Sequence, residues 1–224
     1  MEHELIDRLV RDVTPVRPLA PPAVRVARWA LVSTVCVGAG VALAHVRRDI
    51  GASMWTTSFL VQAGLLLTAS LCGATAALVV GVPGAPPAWA TRWVPLGALA
   101  AWAAWLVASI VTQPDHLRVW WPGPAVHCAA TVMLLALLPG LLLWSLVRRA
   151  APLRPAWAGL LATLTAAAAG ALGTQLICPR NDGAHLLLWH AAPVVAMAIA
   201  GIQVGRRFLR WLPRPAFTPP QSPL

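Results

Sequence analysis

Six long apolar stretches dominate this sequence of 224 residues. Each holds about 20 mostly apolar residues, which is the length that an α-helix needs to cross the hydrocarbon core of a bilayer. The runs are rich in Ala and Leu and do not alternate apolar with polar residues, so they predict helices rather than strands. The predicted spans are Trp29–Val46, Trp55–Val82, Trp93–Val111, Pro124–Val147, Pro155–Ile177 and His185–Val204.

The composition excludes soluble classes of protein. Charged side chains make up only 11% of the residues and hydrophobic ones 58%. A soluble domain carries about 25% charged residues to cover its surface, so a soluble enzyme and a free DNA-binding module are both excluded. The sequence also contains no HExxH, Walker or GxSxG motif, and we expect no enzymatic activity. These features predict an all-α integral membrane protein built as a bundle of six transmembrane helices.

The distribution of arginine predicts the orientation of this bundle. All 17 basic residues are Arg, and they exceed the seven carboxylates by ten. Alternate loops place 13 Arg on the side of both termini, whereas the other side has four, at positions 47, 48, 118 and 180. By the positive-inside rule both termini are cytoplasmic, in a multi-pass protein of the bacterial inner membrane. The Arg excess then needs no direct nucleic-acid partner, and the lipid bilayer is the expected surrounding.

Short segments flank the predicted six-helix transmembrane domain of residues 29–204. Residues 205–224 form a basic, Pro-rich cytoplasmic tail, and residues 1–28 form a cytoplasmic amphipathic helix followed by a Pro-rich tether. Such a helix either lies on the lipid surface or docks in a groove of a partner protein. Its polar face lacks the Lys/Arg excess of interfacial helices, which favours a partner. The apolar stripe of this helix consists of Leu5, Ile6, Leu9, Val10 and Val13.

The four cysteines differ in their predicted depth. Cys36 and Cys72 fall in the middle of spans, where a cysteine behaves as a small apolar residue. Cys128 opens the fourth span and Cys178 closes the fifth, so both are expected at the periplasmic face. A short inner turn makes these two spans antiparallel neighbours, and their outer ends can therefore approach each other. The oxidising periplasm permits a disulfide between them.

Two histidines accompany the outer thiols. His127 precedes Cys128, and His185 follows Cys178 by seven residues. Thiolate and imidazole are ligands that Zn²⁺ and related soft divalent ions prefer. The candidate ligands for a transient soft divalent ion are therefore Cys128, Cys178, His127 and His185. His190 lies five residues after His185, about 140° around an α-helix, and is predicted to face elsewhere. We expect no permanently bound cofactor.

Several functions stay open on these residues alone. Three interpretations of the outer thiols remain: they form a structural disulfide, they are two unrelated buried thiols, or they sense a metal ion or an oxidant. A membrane thiol oxidoreductase normally carries a CxxC pair, which this sequence lacks. A small membrane transporter or channel is the main alternative to regulation, although the spans hold no Asp, Glu or Arg away from their ends. Gln62, Gln175 and Gln203 either line such a path or join helices through hydrogen bonds.

Five segments, taken in order, carry a resemblance to a known family. The segments are LIDRLVRDVTPVRPLAPP at Leu5–Pro22, HC at His127–Cys128, RRAAPLRP at Arg148–Pro155, CPRNDGAHLLLWH at Cys178–His190 and GIQVGRRFLRW at Gly201–Trp211. With the six spans and the two outer cysteines, they resemble the NrsF-type family of bacterial membrane anti-sigma factors, which are negative regulators of an ECF (extracytoplasmic-function) sigma factor.

The resemblance implies a partner and a signal. The partner is an ECF-type sigma factor in the cytoplasm, held at the membrane and released under metal or oxidative stress. Two periplasmic-side cysteines are implied to be required for the response, and in this chain they are Cys128 and Cys178. Cys36 and Cys72 have no counterpart in this pattern. The apolar stripe of the N-terminal helix is then the expected contact with the sigma factor.

Overall fold

Helices account for all the regular structure in the part of the chain that the structure describes. This computed structural model describes residues 19–80, 89–112 and 125–209, together with the helical positions 4, 6, 7 and 10. The helices are α1 (Pro22–Ala44), α2 (Ile50–Ser53), α3 (Thr57–Val80), α4 (Trp89–Thr112), α5 (Val126–Arg148), α6 (Pro155–Gln175) and α7 (Gly183–Phe208). Within α7, Leu187–Ala191 forms a π-helical turn between the α-helical segments Gly183–Leu186 and Ala192–Phe208.

All helices except the short α2 are long and apolar enough to cross a membrane, which gives the six predicted by the sequence. The largest difference lies at the start of the first one, because α1 begins at Pro22 rather than near Trp29. Proline suits the first position of a helix, since its fixed φ is helical and the missing N–H would have no intrahelical acceptor. Arg25 and Arg28 therefore belong to the first turns of α1 rather than to an extended tether.

Helix α6 forms the centre of the bundle and is buried more completely than the other five long helices. It packs against α1, α3, α5 and α7. Its sequence consists mostly of Ala, Gly, Thr and Leu, and small side chains allow neighbouring backbones to come close. Two apolar clusters surround it: one includes Trp102, Leu164 and Val194, and the other includes Trp29 and Leu161.

Helices α6 and α7 meet at three glycines. Gly159 of α6 lies against Gly201 and Gly205 of α7, and a Cβ atom added to any of them would overlap atoms of the facing helix. Because no side chain separates the two backbones here, the helices approach closely. The spacing of Gly201 and Gly205 predicts such close packing, and the structure confirms it.

Buried amide side chains also join the helices. Gln62 of α3 accepts hydrogen bonds from the Trp102 indole of α4 and from the Gln175 amide of α6, each at 3.2 Å. Gln62 and Gln175 therefore act as interhelical partners, which is the structural alternative predicted for them. Gln203 is exposed. Two of the three glutamines thus form hydrogen bonds between helices, which weakens the argument that these residues line a transport path.

The bundle has two ends that differ in chemistry. The tail end contains the start of α1, the start of α4, residues 148–154 and the end of α7. The thiol end contains residues 45–56, the start of α5 and residues 178–183. Of the described Arg residues, eight lie at the tail end and three at the thiol end. The positive charge therefore gathers at the end where the N-terminal tail enters α1.

Candidate functional site

Cys128 and Cys178 come together at the thiol end. Cys128 lies in the first turn of α5, whereas Cys178 follows the last turn of α6, which stops before Pro179. Helices α5 and α6 pack against each other across a short turn, as predicted. The two Sγ atoms are 3.6 Å apart, and both thiols are free. A disulfide of about 2.05 Å would require the sulfurs to close by about 1.5 Å.

His185 is a second neighbour of Cys178. Its Nε2 lies 3.4 Å from the Cys178 Sγ, and both side chains are buried. Asp182 caps the start of α7, because its carboxylate accepts the backbone N–H of His185 at 3.0 Å. Arg180 donates to the same carboxylate at 3.1 Å. These contacts hold the segment between Cys178 and His185 in one geometry.

A π-helical turn brings another histidine to this place. In α7 the Ala192 N–H bonds to the Leu187 carbonyl, five residues back, and such a turn displaces side chains from their positions in a regular α-helix. The rings of His185 and His190 lie in an edge-to-face arrangement, with centroids 5.5 Å apart and planes at 62°. The prediction that these two histidines do not share a face was wrong, because it assumed an unbroken α-helix.

Together these side chains form what we call the thiol–imidazole cluster. One potential ligand atom from each residue, Sγ of a cysteine or a ring nitrogen of a histidine, lies within 4.8 Å of the other three. His127 is exposed and lies outside this group, because consecutive residues point about 100° apart around an α-helix. Cys36 and Cys72 are half-buried in the middle of α1 and α3, also outside it. The cluster consists of Cys128, Cys178, His185 and His190.

The surroundings of Cys178 favour an anionic sulfur. Hydrogen bonds from the Cys128 thiol and from His185 lower the pKa of Cys178, and they outweigh burial, which acts in the opposite direction. Thiolates are the reactive form of cysteine toward both oxidants and metal ions. The cluster is therefore suited to either kind of chemistry.

Sequence reasoning missed Arg47, a buried residue that holds the segment after α6. Its guanidinium donates to both carboxylate oxygens of Asp49, and this hydrogen bond lowers the pKa of Asp49. It also donates to Asn181 Oδ1 at 2.9 Å and to the Pro179 carbonyl at 3.2 Å. The Arg47 backbone N–H bonds to the Leu176 carbonyl at 3.0 Å. Arg47 therefore ties the end of α1 to the residues that surround the cluster.

Helix α1 also contacts α5 through two buried side chains nearer the tail end. Arg25 Nη2 donates to the Leu146 carbonyl at 2.6 Å, and the Trp29 indole N–H donates to the Pro139 carbonyl at 3.0 Å. Carbonyls in the last turn of a helix have no intrahelical donor, and Arg25 satisfies one of them. Helix α5 thus connects Cys128 at one end with the helix that follows the N-terminal tail at the other.

The predicted docking stripe is partly described. Ile6 and Val10 are helical and expose 53% and 65% of their surfaces. Much of both apolar side chains is therefore accessible to a partner. Leu5, Leu9 and Val13 lie outside the described residues.

The chain is similar to proteins that regulate a sigma factor. A family model named NrsF and described as negative regulator of sigma F matches residues 9–211. The chain is 30% identical to the anti-sigma-F factor NrsF of Caulobacter vibrioides over 219 residues, which cover 93% of this chain and 98% of the relative. It is 26% identical to the probable anti-sigma-F factor NrsF of Azospira oryzae over 171 residues, which cover 76% of this chain and 80% of the relative. No solved structure matches the chain significantly.

Proposed function

Because the chain belongs to the NrsF family of negative regulators of sigma F, we propose that it is a membrane anti-sigma factor with a thiol sensor. The N-terminal tail binds an ECF-type sigma factor in the cytoplasm, and the thiol–imidazole cluster receives a metal or oxidative signal from the periplasm. The role is regulatory rather than enzymatic. The observation that carries this proposal is the 3.6 Å approach of Cys128 and Cys178 at the end of the bundle opposite the tail.

Insertion in the bacterial inner membrane is supported by the six helices of sufficient length and hydropathy. The orientation is supported by charge, since eight of the described Arg lie at the tail end and three at the thiol end. Arg47 and Arg180, two of those three, are each paired with a carboxylate, so the net positive charge at the thiol end is smaller still. By the positive-inside rule the tail end, with both termini, faces the cytoplasm and the cluster faces the periplasm.

Reporter fusions test this orientation. A reporter that works only in the cytoplasm is expected to be active when it is fused after Leu224, because the C-terminus lies on the positively charged side. A reporter that works only in the periplasm is expected to be active when it is inserted at Asp115. Each reporter placed at the other position is the control and is expected to be silent. The opposite pattern would place the cluster in the reducing cytoplasm and contradict a sensing role based on oxidation.

Rigid helices connect the cluster with the tail. A new bond at the cluster draws together the start of α5 and the end of α6. Helix α5 contacts α1 through Arg25 and Trp29, and Arg47 ties the other end of α1 to residues 179–181. A shift of the side chains in the cluster therefore moves α1 through contacts at both ends of that helix. Since the tail leads directly into α1, its position changes with that helix, and the contact with the sigma factor is weakened.

Replacing either cluster cysteine by serine is expected to separate repression from release. The Cys128→Ser and Cys178→Ser side chains have a similar size but form no disulfide and offer no thiolate ligand. In cells that carry a reporter for the released sigma factor, both variants are expected to repress as the unmodified protein does. Their induction by Cd²⁺ or by a thiol oxidant should fall to background. Reporter activity before and after the challenge measures both quantities.

Cys72→Ser is the matched control for these variants. Cys72 is half-buried in the middle of α3 and lies outside the cluster, so this variant is expected to keep both repression and induction. Immunoblots of membrane fractions verify that all variants are present at equal amounts. Full induction in the Cys128→Ser and Cys178→Ser variants would show that the pair is structural and that the signal enters elsewhere.

A further inference from the structure

We propose that Cys128, Cys178, His185 and His190 form a four-coordinate binding site for a zinc-like divalent cation such as Zn²⁺ or Cd²⁺. This ligand set differs from the one that the sequence predicts, because His190 takes the place of His127. Only the signalling role of the bound ion rests on the proposed function. The site itself stands on the geometry, burial and charge of four side chains.

The distances in the cluster are close to those of tetrahedral coordination. With Zn–S bonds of about 2.3 Å and Zn–N bonds of about 2.05 Å, tetrahedral geometry places two sulfurs about 3.8 Å apart and a sulfur and a nitrogen about 3.6 Å apart. The Sγ atoms of Cys128 and Cys178 are 3.6 Å apart, and Cys178 Sγ lies 3.4 Å from His185 Nε2. All four ligand atoms lie within 4.8 Å of one another. The widest pair therefore has to close by about 1.5 Å at most, which small side-chain rotations achieve.

His190 gives the strongest evidence that this cluster binds an ion. Its side chain is completely buried, at 0% exposure, and neither ring nitrogen has a hydrogen-bond partner among the described residues. A buried polar group without a partner is costly, and coordination of an ion by one nitrogen removes part of that cost. The π turn at Leu187–Ala191 brings this ring to the cluster. Such turns are rare within α-helices and frequently occur at functional sites.

The charge of the cluster matches that of a divalent ion. On binding, the cluster releases to solvent the two protons that its sulfur and imidazole atoms share, and two thiolates with two neutral imidazoles leave a complex without net charge. A neutral complex avoids the cost of burying an unpaired charge. Two sulfurs and two imidazole nitrogens are a ligand set of structural zinc sites. Ca²⁺ and Mg²⁺ instead take oxygen ligands, which these four side chains do not offer.

A small cavity adjoins the cluster at Cys178. The cavity has a volume of about 40 Å³, and its lining includes Gln62, Gln175, Cys178, Arg180 and Asn181. One water molecule needs roughly 10–15 Å³ of such volume, so the cavity accommodates water or a small ion. Arg180 is half-buried and Asn181 is exposed, whereas Cys178 is buried. The cavity therefore joins a buried ligand sulfur with residues nearer the surface of the thiol end, and we infer that an ion enters on this side.

Titration of the purified full-length chain in detergent with Co²⁺ and Zn²⁺ tests the site. Tetrahedral Co²⁺ with thiolate ligands has a characteristic visible spectrum, and zinc displaces it. The unmodified chain is expected to bind one Co²⁺ with this spectrum. His190→Gln keeps a polar side chain but removes the ligand, and it is expected to weaken binding by about a hundredfold or more. His127→Gln is the matched control and is expected to leave both affinity and spectrum unchanged.

The outcomes separate the possible ligand sets. Absence of Co²⁺ binding, or a spectrum without a thiolate contribution, overturns the site. Unchanged binding in His190→Gln with loss of binding in His127→Gln overturns the role of His190 and restores the set predicted by the sequence. If His190→Gln does not elute as a monodisperse protein, Cys128→Ser and His185→Gln test the site at other ligands, and wild-type affinity in both overturns it.

Failure of this site is distinguishable from failure of the proposed function. Metal binding is measured without a sigma factor, and repression is measured without added metal. A chain that represses but binds no ion contradicts this inference alone. A chain that binds the ion but no sigma factor contradicts the proposed function alone.

Discussion

Placing aspartate at both Ile6 and Val10 is expected to abolish repression of the sigma factor. Both residues are helical and largely exposed in the free protein, and the proposed contact buries them. Losing the burial of two such side chains costs roughly 3–6 kcal/mol, to which the burial of two carboxylates adds a further penalty. Binding therefore weakens about 10²- to 10⁴-fold or more. Co-purification of the sigma factor with the detergent-solubilised protein, together with a reporter assay, measures the loss.

The matched control for the aspartate variant is the double substitution of Ile6→Leu and Val10→Leu. It keeps both positions apolar and is expected to retain repression, because the contact depends on apolar burial. The aspartate variant is also expected to bind Co²⁺ as the unmodified chain does, since the cluster lies at the other end of the bundle. Full repression by the aspartate variant, at an unchanged amount in the membrane, would contradict docking through the N-terminal helix.

Hydropathy predicted the number and order of the long helices because a spanning helix needs a long apolar run. Hydropathy did not predict the start of α1. Arg25 and Arg28 interrupt the apolar run before Trp29, yet α1 begins at Pro22. In the structure, Arg25 reaches the last turn of α5 and donates to the Leu146 carbonyl. A tertiary contact thus stabilises Arg25 in a helix, although the sequence assigned this residue to a Pro-rich tether.

The sequence predicted the two cysteines of the cluster, which depend on topology, but not His190, which depends on local backbone geometry. Cys128 and Cys178 meet because antiparallel helices joined by a short turn bring their far ends together. His190 joins them only through a π turn, which alters side-chain direction and leaves the hydropathy pattern unchanged. The available signal was Pro193, since a proline lacks an N–H and disturbs the turn before it. His127 was selected for its position beside Cys128, although neighbouring residues on a helix diverge by about 100°.

Arg47 illustrates a contact that no local window of sequence shows. Its partners Asn181 and Pro179 lie 134 and 132 positions further along the chain. In the sequence it is one of four Arg on the side predicted to be periplasmic. In the structure it is buried and paired with Asp49. Its importance therefore follows from the packing of α1 beside α6, which is a property of the folded bundle.

Alanine is expected to affect stability differently at Gly159, in the contact between α6 and α7, and at Gly64, on the exposed face of α3. Gly159→Ala is expected to destabilise the bundle, because the added Cβ overlaps the Gly201 carbonyl oxygen, which is a backbone atom and cannot rotate aside. Overpacking of this kind typically costs about 1–3 kcal/mol. Gly64→Ala adds the same methyl group to α3 at an exposed position with nothing within 4 Å. Its stability is expected to stay unchanged or to rise by up to about 1 kcal/mol, since Ala favours a helix.

Thermal unfolding of the detergent-solubilised chain, followed by the loss of the monodisperse fraction, measures this difference. Gly159→Ala is expected to lower the unfolding temperature and Gly64→Ala is not. The Gly159 variant should also bind Co²⁺ more weakly, because separation of α7 from α6 moves His185 and His190 relative to Cys178, which follows α6. Equal unfolding temperatures for the two variants would show that α6 and α7 do not meet at Gly159. A lower unfolding temperature with unchanged Co²⁺ affinity would instead show that the cluster keeps its geometry independently of that contact.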